Sequence, residues 1–479
     1  MRLRTLDDSF TPLKPESLTE WENIKEEIIK ELKFSSSIEL LKHDAPLDPV
    51  ISPAVEYDDF VVEKVAFQSL PGFFVTGNIY RPKDTSKKYP CILNPHGHWD
   101  DGRISVVDRA RIPQRCANFA KRGMVAFIYD MIGFRDCDQI SHEGFREEYE
   151  DYNFGRLSLQ LNNSVKAIDF VCSLPYVDSE KIGCTGCSGG GTQTYFLTAL
   201  DSRIKAAAPI NMSSVHMQGG CICENTAFLR TRFCNIDYTM TAAPRPMFMA
   251  ACDGDWTWES ETVEFPAVKH VYSLYGAEDK FETFYRTAPH CYELPTRERA
   301  YSFFCRVFGI EDPFDGEQDM EFDTSLLLWN GLPEEIKSRA KNEDELFETV
   351  KEIIEKNLAG LPEKEKNAMR RRVFALDESF PLDIPYTVDA VNKKIALGEC
   401  PAEGDRMGVK YYHTYNYADD TKRVNALKTL FEENKDYTFT ADGKTAALCL
   451  IAEKLTENVK LETNAPDETN IRIPGRKLL

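Results

Sequence analysis

No apolar run in this chain of 479 residues approaches the roughly 20 that a bilayer-crossing helix requires, so a helical membrane span is excluded. Positive charge is in deficit: 58 Lys and Arg stand against 78 Asp and Glu, for a formal charge of −20. Phosphate backbones are held by Lys and Arg, and anionic membrane surfaces repel acidic chains; nucleic acid and membrane are therefore not expected partners. The segment Met1 to Asp8 has basic residues but no apolar core behind them, and does not read as a secretory signal. Nothing repeats in the manner of propeller blades. Histidine is scarce, with eight in all, which later allows a base to be found by elimination. What the chain does have is an ordinary globular balance, 42% hydrophobic and 28% charged, in a length sufficient for two domains with sizeable cores. Its 14 cysteines include Cys91, Cys172, Cys184, Cys252, Cys305 and Cys449, which fall inside apolar segments. Reduced, packed thiols of a cytoplasmic chain are expected, not a secreted disulfide framework.

One pentapeptide carries more chemistry than any other. Gly186-Cys187-Ser188-Gly189-Gly190 places a serine at the centre of a G-x-S-x-G elbow. Lys181 to Thr185 before it reads as a buried strand, and Gly191 to Leu200 after it as a helix. Strand, sharp turn and helix are the context in which such a serine is a nucleophile, with small neighbours letting strand and helix approach. A second apolar strand, Tyr89 to Asn94, ends in Pro95-His96-Gly97-His98-Trp99. That turn is expected to supply one oxyanion N–H from His98, with Gly97 permitting the bend and Gly189 supplying the other N–H.

His43, His142, His216, His270 and His413 lie in segments unsuited to a base, and His96 and His98 belong to the turn. His290 remains, in the loop Ala288-Pro289-His290 beyond a final strand Phe281 to Tyr285 and before a closing helix from Arg297. It stands last in the order Ser…Asp/Glu…His. The acid is expected after strand Pro246 to Ala251, where Asp255 and Asp253 compete and Asp255 is preferred. Glu224, after the preceding strand, is a third candidate. The acid's task is to orient the imidazole and stabilise its cation. His96 and His98 alternate as metal ligands do, yet no third ligand lies nearby in sequence. Cys221-Ile222-Cys223 likewise lacks a second Cys or His pair at zinc spacing. No metal and no cofactor are therefore expected.

From about Pro71 to Gly309 these residues resemble the α/β-hydrolase superfamily, and within it the bacterial acetyl xylan esterase-like and cephalosporin deacetylase-like hydrolases. The resemblance rests on Pro95-His96-Gly97-His98-Trp99 with Asp101-Gly102-Arg103, Thr185 to Thr194, Met217-Gln218-Gly219-Gly220-Cys221 with Cys223-Glu224-Asn225, Gly254-Asp255-Trp256-Thr257, and Ala288-Pro289-His290. It implies a serine hydrolase that removes small acyl groups, acetyl above all, from a carbohydrate-like alcohol such as an acetylated oligosaccharide. Trp99, Arg103 and Glu224 are expected to line the substrate pocket together with the loop from Met217 to Asn225. A serine peptidase, a uronoyl esterase and an inactive binding protein are the alternatives, and a homo-oligomer is left open. For the uronoyl esterase, Gly189 stands where a basic residue after the serine would be expected.

Three parts are expected along the chain. Residues 1–50 form a helical cap in which Trp21, Ile24, Ile28 and Leu32 share one face. Residues 51–312 alternate eight strand-like segments with helices after the third, which predicts a doubly wound, mostly parallel eight-stranded sheet. Residues 320–479 form a smaller C-terminal α/β lobe without catalytic function. There the strand Asp436 to Thr440 and the helix from Gly443 look like a worn copy of the nucleophile unit or a chance likeness to it. Asp442 falls where Ser188 falls, and His413 precedes it.

Overall fold

The computed structural model describes residues 10–143, 148–375, 379–401, 417–469 and 471–478; Met1 to Asp8 and His413 lie outside them. One sheet contains β1 (Val50–Ile51), β2 (Val55–Glu56), β3 (Phe60–Leu70), β4 (Phe73–Pro82), β5 (Tyr89–Leu93), β6 (Val125–Tyr129), β7 (Val177–Cys187), β8 (Ile204–Ile210), β9 (Met247–Gly254) and β10 (Phe281–Pro289). Its order is β1-β3-β4-β6-β5-β7-β8-β9-β10, with β2 also paired to β3. The first four strands pair antiparallel, and β6, β5 and β7 to β10 run parallel. The eight expected strand segments fall on β3 to β10; the two extra strands are two-residue pieces at the antiparallel edge.

Parallel neighbours need long crossovers, and helices supply them on both faces. Ile112–Lys121 links β5 to β6, Arg156–Ser173 links β6 to β7, Gly189–Leu200 links β7 to β8, and Glu264–Leu274 links β9 to β10. Sheathing on both faces explains why β6 reads Val-Ala-Phe-Ile-Tyr with every residue buried. This is the α/β-hydrolase fold, and it brings the carboxyl ends of β5, β7, β8, β9 and β10 to one edge of the sheet, where ligands bind in such folds.

The helix Leu18–Ser35 begins at Ser17, whose side chain accepts from the Glu20 amide. Trp21, Ile28 and Leu32 are fully buried, in one cluster with Tyr195 and Phe196 of helix Gly189–Leu200 and Val268 and Tyr272. The cap thus packs behind the elbow.

A second sheet, β11 (Tyr386–Asp389), β12 (Lys394–Leu397), β13 (Thr438–Asp442) and β14 (Lys460–Pro466), lies in the C-terminal third with helices including Glu343–Gly360 and Gly443–Lys454. Asp442 stands directly before its helix as Ser188 stands before helix Gly189–Leu200, but the backbone differs. Asp442 is extended, with φ −126°, and the left-handed residue at the strand–helix junction is Gly443, φ +53°. Glycine adopts that backbone without steric cost, and no side chain is presented there. Phe347, Val350 and Ile354 share a core with Phe34, Leu41, Leu70, Phe73 and Ile140, so apolar burial runs on from the main unit into the lobe. Residues 316–331 also cross the main unit: Glu317 pairs with Arg297, and the Leu327 carbonyl accepts from Asn78 and Arg103.

We therefore propose that the lobe begins near residue 332. Ending the chain at Asp315 is expected to give insoluble protein. Ending it at Gly331 should give a soluble chain with a lower melting temperature and new hydrophobic-dye binding, from exposure of Leu70 and Phe73. Equal melting of both truncated forms and the full chain would refute the placement.

Candidate active site

Strand β7 delivers Ser188 to the start of helix Gly189–Leu200 with φ +60° and ψ −128°, a conformation that L-residues rarely hold. Two hydrogen bonds pin it: Ser188 N–H donates to the Ile210 carbonyl (3.3 Å), and Thr192 N–H donates to the Ser188 carbonyl (3.0 Å). The surrounding glycines serve close approach. A Cβ at Gly186 or Gly190 would run into the Pro95 carbonyl, and one at Gly97 would lie 2.7 Å from the Cys187 carbonyl oxygen and 2.9 Å from Ser188 Cβ. The turn after β5 is thereby pressed against the elbow. Gly189 opens the helix, so its amide belongs to the first turn, whose N–H groups have no intrahelical partner. The His98 imidazole lies over it, with Nδ1 3.1 Å from where a Gly189 Cβ would stand.

His290 follows β10, and its Nδ1 is 2.6 Å from Asp255 Oδ2. The other Asp255 oxygen accepts from Thr257 N–H (2.7 Å) and Thr257 Oγ1 (2.5 Å), which fixes the carboxylate. His290 Nε2 is buried with no hydrogen-bond partner. An Nδ1–H donated to Asp255 leaves Nε2 as a lone-pair base. The imidazole sits between two indoles: the Trp256 ring centroid is 4.5 Å away and that of Trp99 6.4 Å. The two rival acids do other work. Asp253 accepts from the Ala288 amide (3.0 Å). Glu224 accepts from Thr192 Oγ1 (2.9 Å) and from the Gly220 and Cys221 amides (2.9 and 3.1 Å), so it shapes the loop after β8 and lies buried rather than lining a pocket with its carboxylate.

Other histidines have evident partners. His43 faces the Ser69 carbonyl, His216 pairs with Glu259, and His270 faces the Pro15 carbonyl. His96 is buried, with Nδ1 2.7 Å from the Gly97 carbonyl and Nε2 accepting from the Met131 amide (2.9 Å). Burial pushes its pKa down to about 3, so it is a neutral spacer under the 95–98 turn.

Arg103 is a correction. Expected to line the substrate pocket, it is wholly buried. Its Nε donates to Asn78 Oδ1 (2.7 Å), its Nη1 and Nη2 contact Asp130 and Asp136, and Nη2 donates to the Leu327 carbonyl (3.1 Å). Two buried carboxylates claim the guanidinium, and none of it faces solvent. The arginine that reaches the site is Arg109, exposed and stacked 5.1 Å from the Trp99 ring centroid. Neither Arg109 nor Trp256 is assigned a role by its sequence position, although Trp256 directly follows Asp255.

The expectation for metal ligands also changes. His98, His142, Cys221 and Cys223, far apart in sequence, come together with all ligand atoms within 4.8 Å of one another. His142 Nε2 is 3.1 Å from Cys221 Sγ, and His98 Nε2 is 3.3 Å from Cys223 Sγ. Hydrogen bonding from the Cys223 thiol, with help from His142 and His98, outweighs burial and holds the Cys221 pKa down to about 2. All 14 cysteines are free.

Comparison with known proteins agrees with this fold. Residues 34–213 match the family model of acetyl xylan esterase (AXE1). The solved structure of methylesterase BT1017 superposes with a TM-score of 0.57 at 25% identity, covering 74% of this chain and 78% of that one. Acetyl esterase Axe7A of Xylanibacter ruminicola is 26% identical over 159 residues, 30% of this chain and 34% of that protein. The Bacillus subtilis (strain 168) protein YtaP, named as a hydrolase, is 25% identical over 149 residues, 30% of this chain and 48% of its own length. The chain thus spans about half or less of these curated relatives. No helix among the described residues is long and apolar enough to cross a membrane.

Removing Arg103 leaves two buried carboxylates unpaired, so Arg103→Ala is expected to lower stability by about 3–5 kcal/mol. A denaturant-unfolding midpoint within error of the parent would contradict the buried role.

Proposed function

We propose that this protein is a serine hydrolase of carboxylic esters that works through an acyl-enzyme, with a small acyl group, acetyl above all, on a carbohydrate alcohol as its substrate. The observation that carries this reading is the Asp255–His290 hydrogen bond of 2.6 Å with His290 Nε2 buried and unpartnered, in a fold whose β7–helix junction holds Ser188 at φ +60°. In this reading Ser188 Oγ attacks the ester carbonyl while His290 Nε2 takes its proton. Asp255 keeps the proton on Nδ1 and stabilises the imidazolium without itself being protonated. The developing oxyanion is met by the amides of Gly189 and His98, with Gly97 allowing the turn. His290 then returns its proton to the leaving alcohol, and water repeats the sequence on the acyl-enzyme. Trp99 supplies a flat apolar wall suited to a sugar ring.

A second reading reverses the ester, placing the carbohydrate on the acyl side and methanol as the leaving group. Two observations favour keeping it: the structural relative is named a methylesterase, and the exposed Arg109 guanidinium beside Trp99 suits a product carboxylate.

Ser188→Ala is expected to lower kcat/KM by about 10⁴-fold or more with the fold retained. Asp255→Asn should cost orders of magnitude, and Asp253→Asn and Glu224→Gln far less. Turnover is to be measured on acetylated sugars, methyl uronates, aryl acetates and peptide amides. Near-parental activity in Ser188→Ala would remove the reading, and preference for methyl uronates with sensitivity to Arg109→Ala would select the second. Trp99→Ala should change the ratio of kcat/KM between sugar esters and aryl acetates; equal losses on both would make Trp99 a packing residue only.

A further inference from the structure

Three separate loops at the catalytic edge end in soft or borderline metal donors aimed at one point. His98 comes from the loop after β5, His142 from the loop after β6, and Cys221 and Cys223 from the loop after β8. We propose that these four side chains bind a single zinc ion in a closed tetrahedral N2S2 site. Zinc–sulfur and zinc–nitrogen bonds of about 2.0–2.3 Å require ligand separations of roughly 3.3–3.8 Å. The His142–Cys221 and His98–Cys223 separations of 3.1 and 3.3 Å lie close to that, and the widest ligand separation of 4.8 Å or less needs only side-chain rotation. Two thiolates with two imidazoles select zinc over magnesium, calcium or manganese, whose preferred ligands are oxygens.

The surroundings of the cluster resemble those of a built site. His142 Nδ1 lies 2.7 Å from the Ile132 carbonyl, so its proton is held there and the Nε2 lone pair is turned to the cluster. This is the outer hydrogen bond that ligating histidines usually make. The Cys221 turn is fixed through its amide to Glu224 and through its carbonyl to Asn225 Nδ2 (2.7 Å). Arg230 in turn donates to the Glu224 carbonyl and Asn225 Oδ1 (3.1 and 2.8 Å). Both cysteines bind as thiolates, and any thiol proton leaves to solvent on coordination. With four protein ligands no position is open to substrate, so the ion ties loops together and does not act as a Lewis acid. One of the loops tied carries His98 over Gly189, so the ion would also steady the oxyanion turn.

The test reads metal and is independent of the esterase reading. Full-length protein without a polyhistidine tag is expected to retain about one zinc per chain by mass spectrometry after dialysis against buffer. Cobalt-exchanged protein should show intense tetrahedral ligand-field bands and a thiolate-to-cobalt charge-transfer band. Cys221→Ser/Cys223→Ser and His142→Gln should each weaken cobalt binding by more than about tenfold and abolish or shift those bands. Cys172→Ser, outside the cluster, should leave both unchanged. A parent protein that takes up neither zinc nor tetrahedral cobalt overturns the proposal. So does an unchanged zinc content and spectrum in the double serine variant. If that variant fails to fold, His142→Gln with the parent cobalt spectrum decides the matter by the same criteria.

Discussion

Two backbone turns are allowed to touch, and the carboxyl edge of the sheet depends on that contact. The 95–98 turn lies on the elbow at 186–190 so closely that a single Cβ at Gly186 or Gly190 would collide with the Pro95 carbonyl. Neither glycine has a positive φ; the left-handed conformation belongs to Ser188. Strain of that kind costs of order 1–3 kcal/mol and persists only where neighbours over-determine it. Here β7 holds one side, the first turn of helix Gly189–Leu200 holds the other, and the 95–98 turn closes the top. The buried neutral His96 completes the arrangement by bonding both to its own turn and to the Met131 amide.

The His290 imidazole is constrained in a different way. Its Nδ1 is fixed by a carboxylate that is itself fixed by Thr257, and its ring is bounded by Trp99 and Trp256. Although the side chain is 23% exposed, Nε2 itself is buried, so little water competes for it. Orientation and partial desolvation are both set before any ligand arrives.

Local pattern made much of this legible. The strands from β3 to β10 are apolar runs bounded by turn residues, and the glycines around Ser188 announce an elbow. Asp255 and His290 are legible as candidates because they follow successive strands in chain order, and the fold brings them to 2.6 Å of one another. What stayed hidden depends on separation. Arg103, following Asp101-Gly102 in an apparent turn, looks exposed; its burial is decided by Asp130, Asp136 and Leu327, which lie 27, 33 and 224 residues away. The cysteine–histidine cluster is spread over loops that no ligand spacing connects. In the C-terminal lobe Asp442 does take the place of Ser188 before a helix, but no sequence pattern foretells that its backbone is extended and that the positive φ falls on Gly443.

Arg103 also imposes an order on synthesis. Residues emerge from the ribosome one after another, and Arg103 is made long before Leu327, whose carbonyl completes its set of partners 224 residues later. Until then the guanidinium and the two carboxylates must remain wet or imperfectly paired. The sheet from β3 to β10 can therefore be complete in sequence while one buried charge packed against it is still waiting. Closure of the main unit is tied to a segment beyond its last strand, and a nascent chain paused before residue 327 is a different physical object from the finished fold.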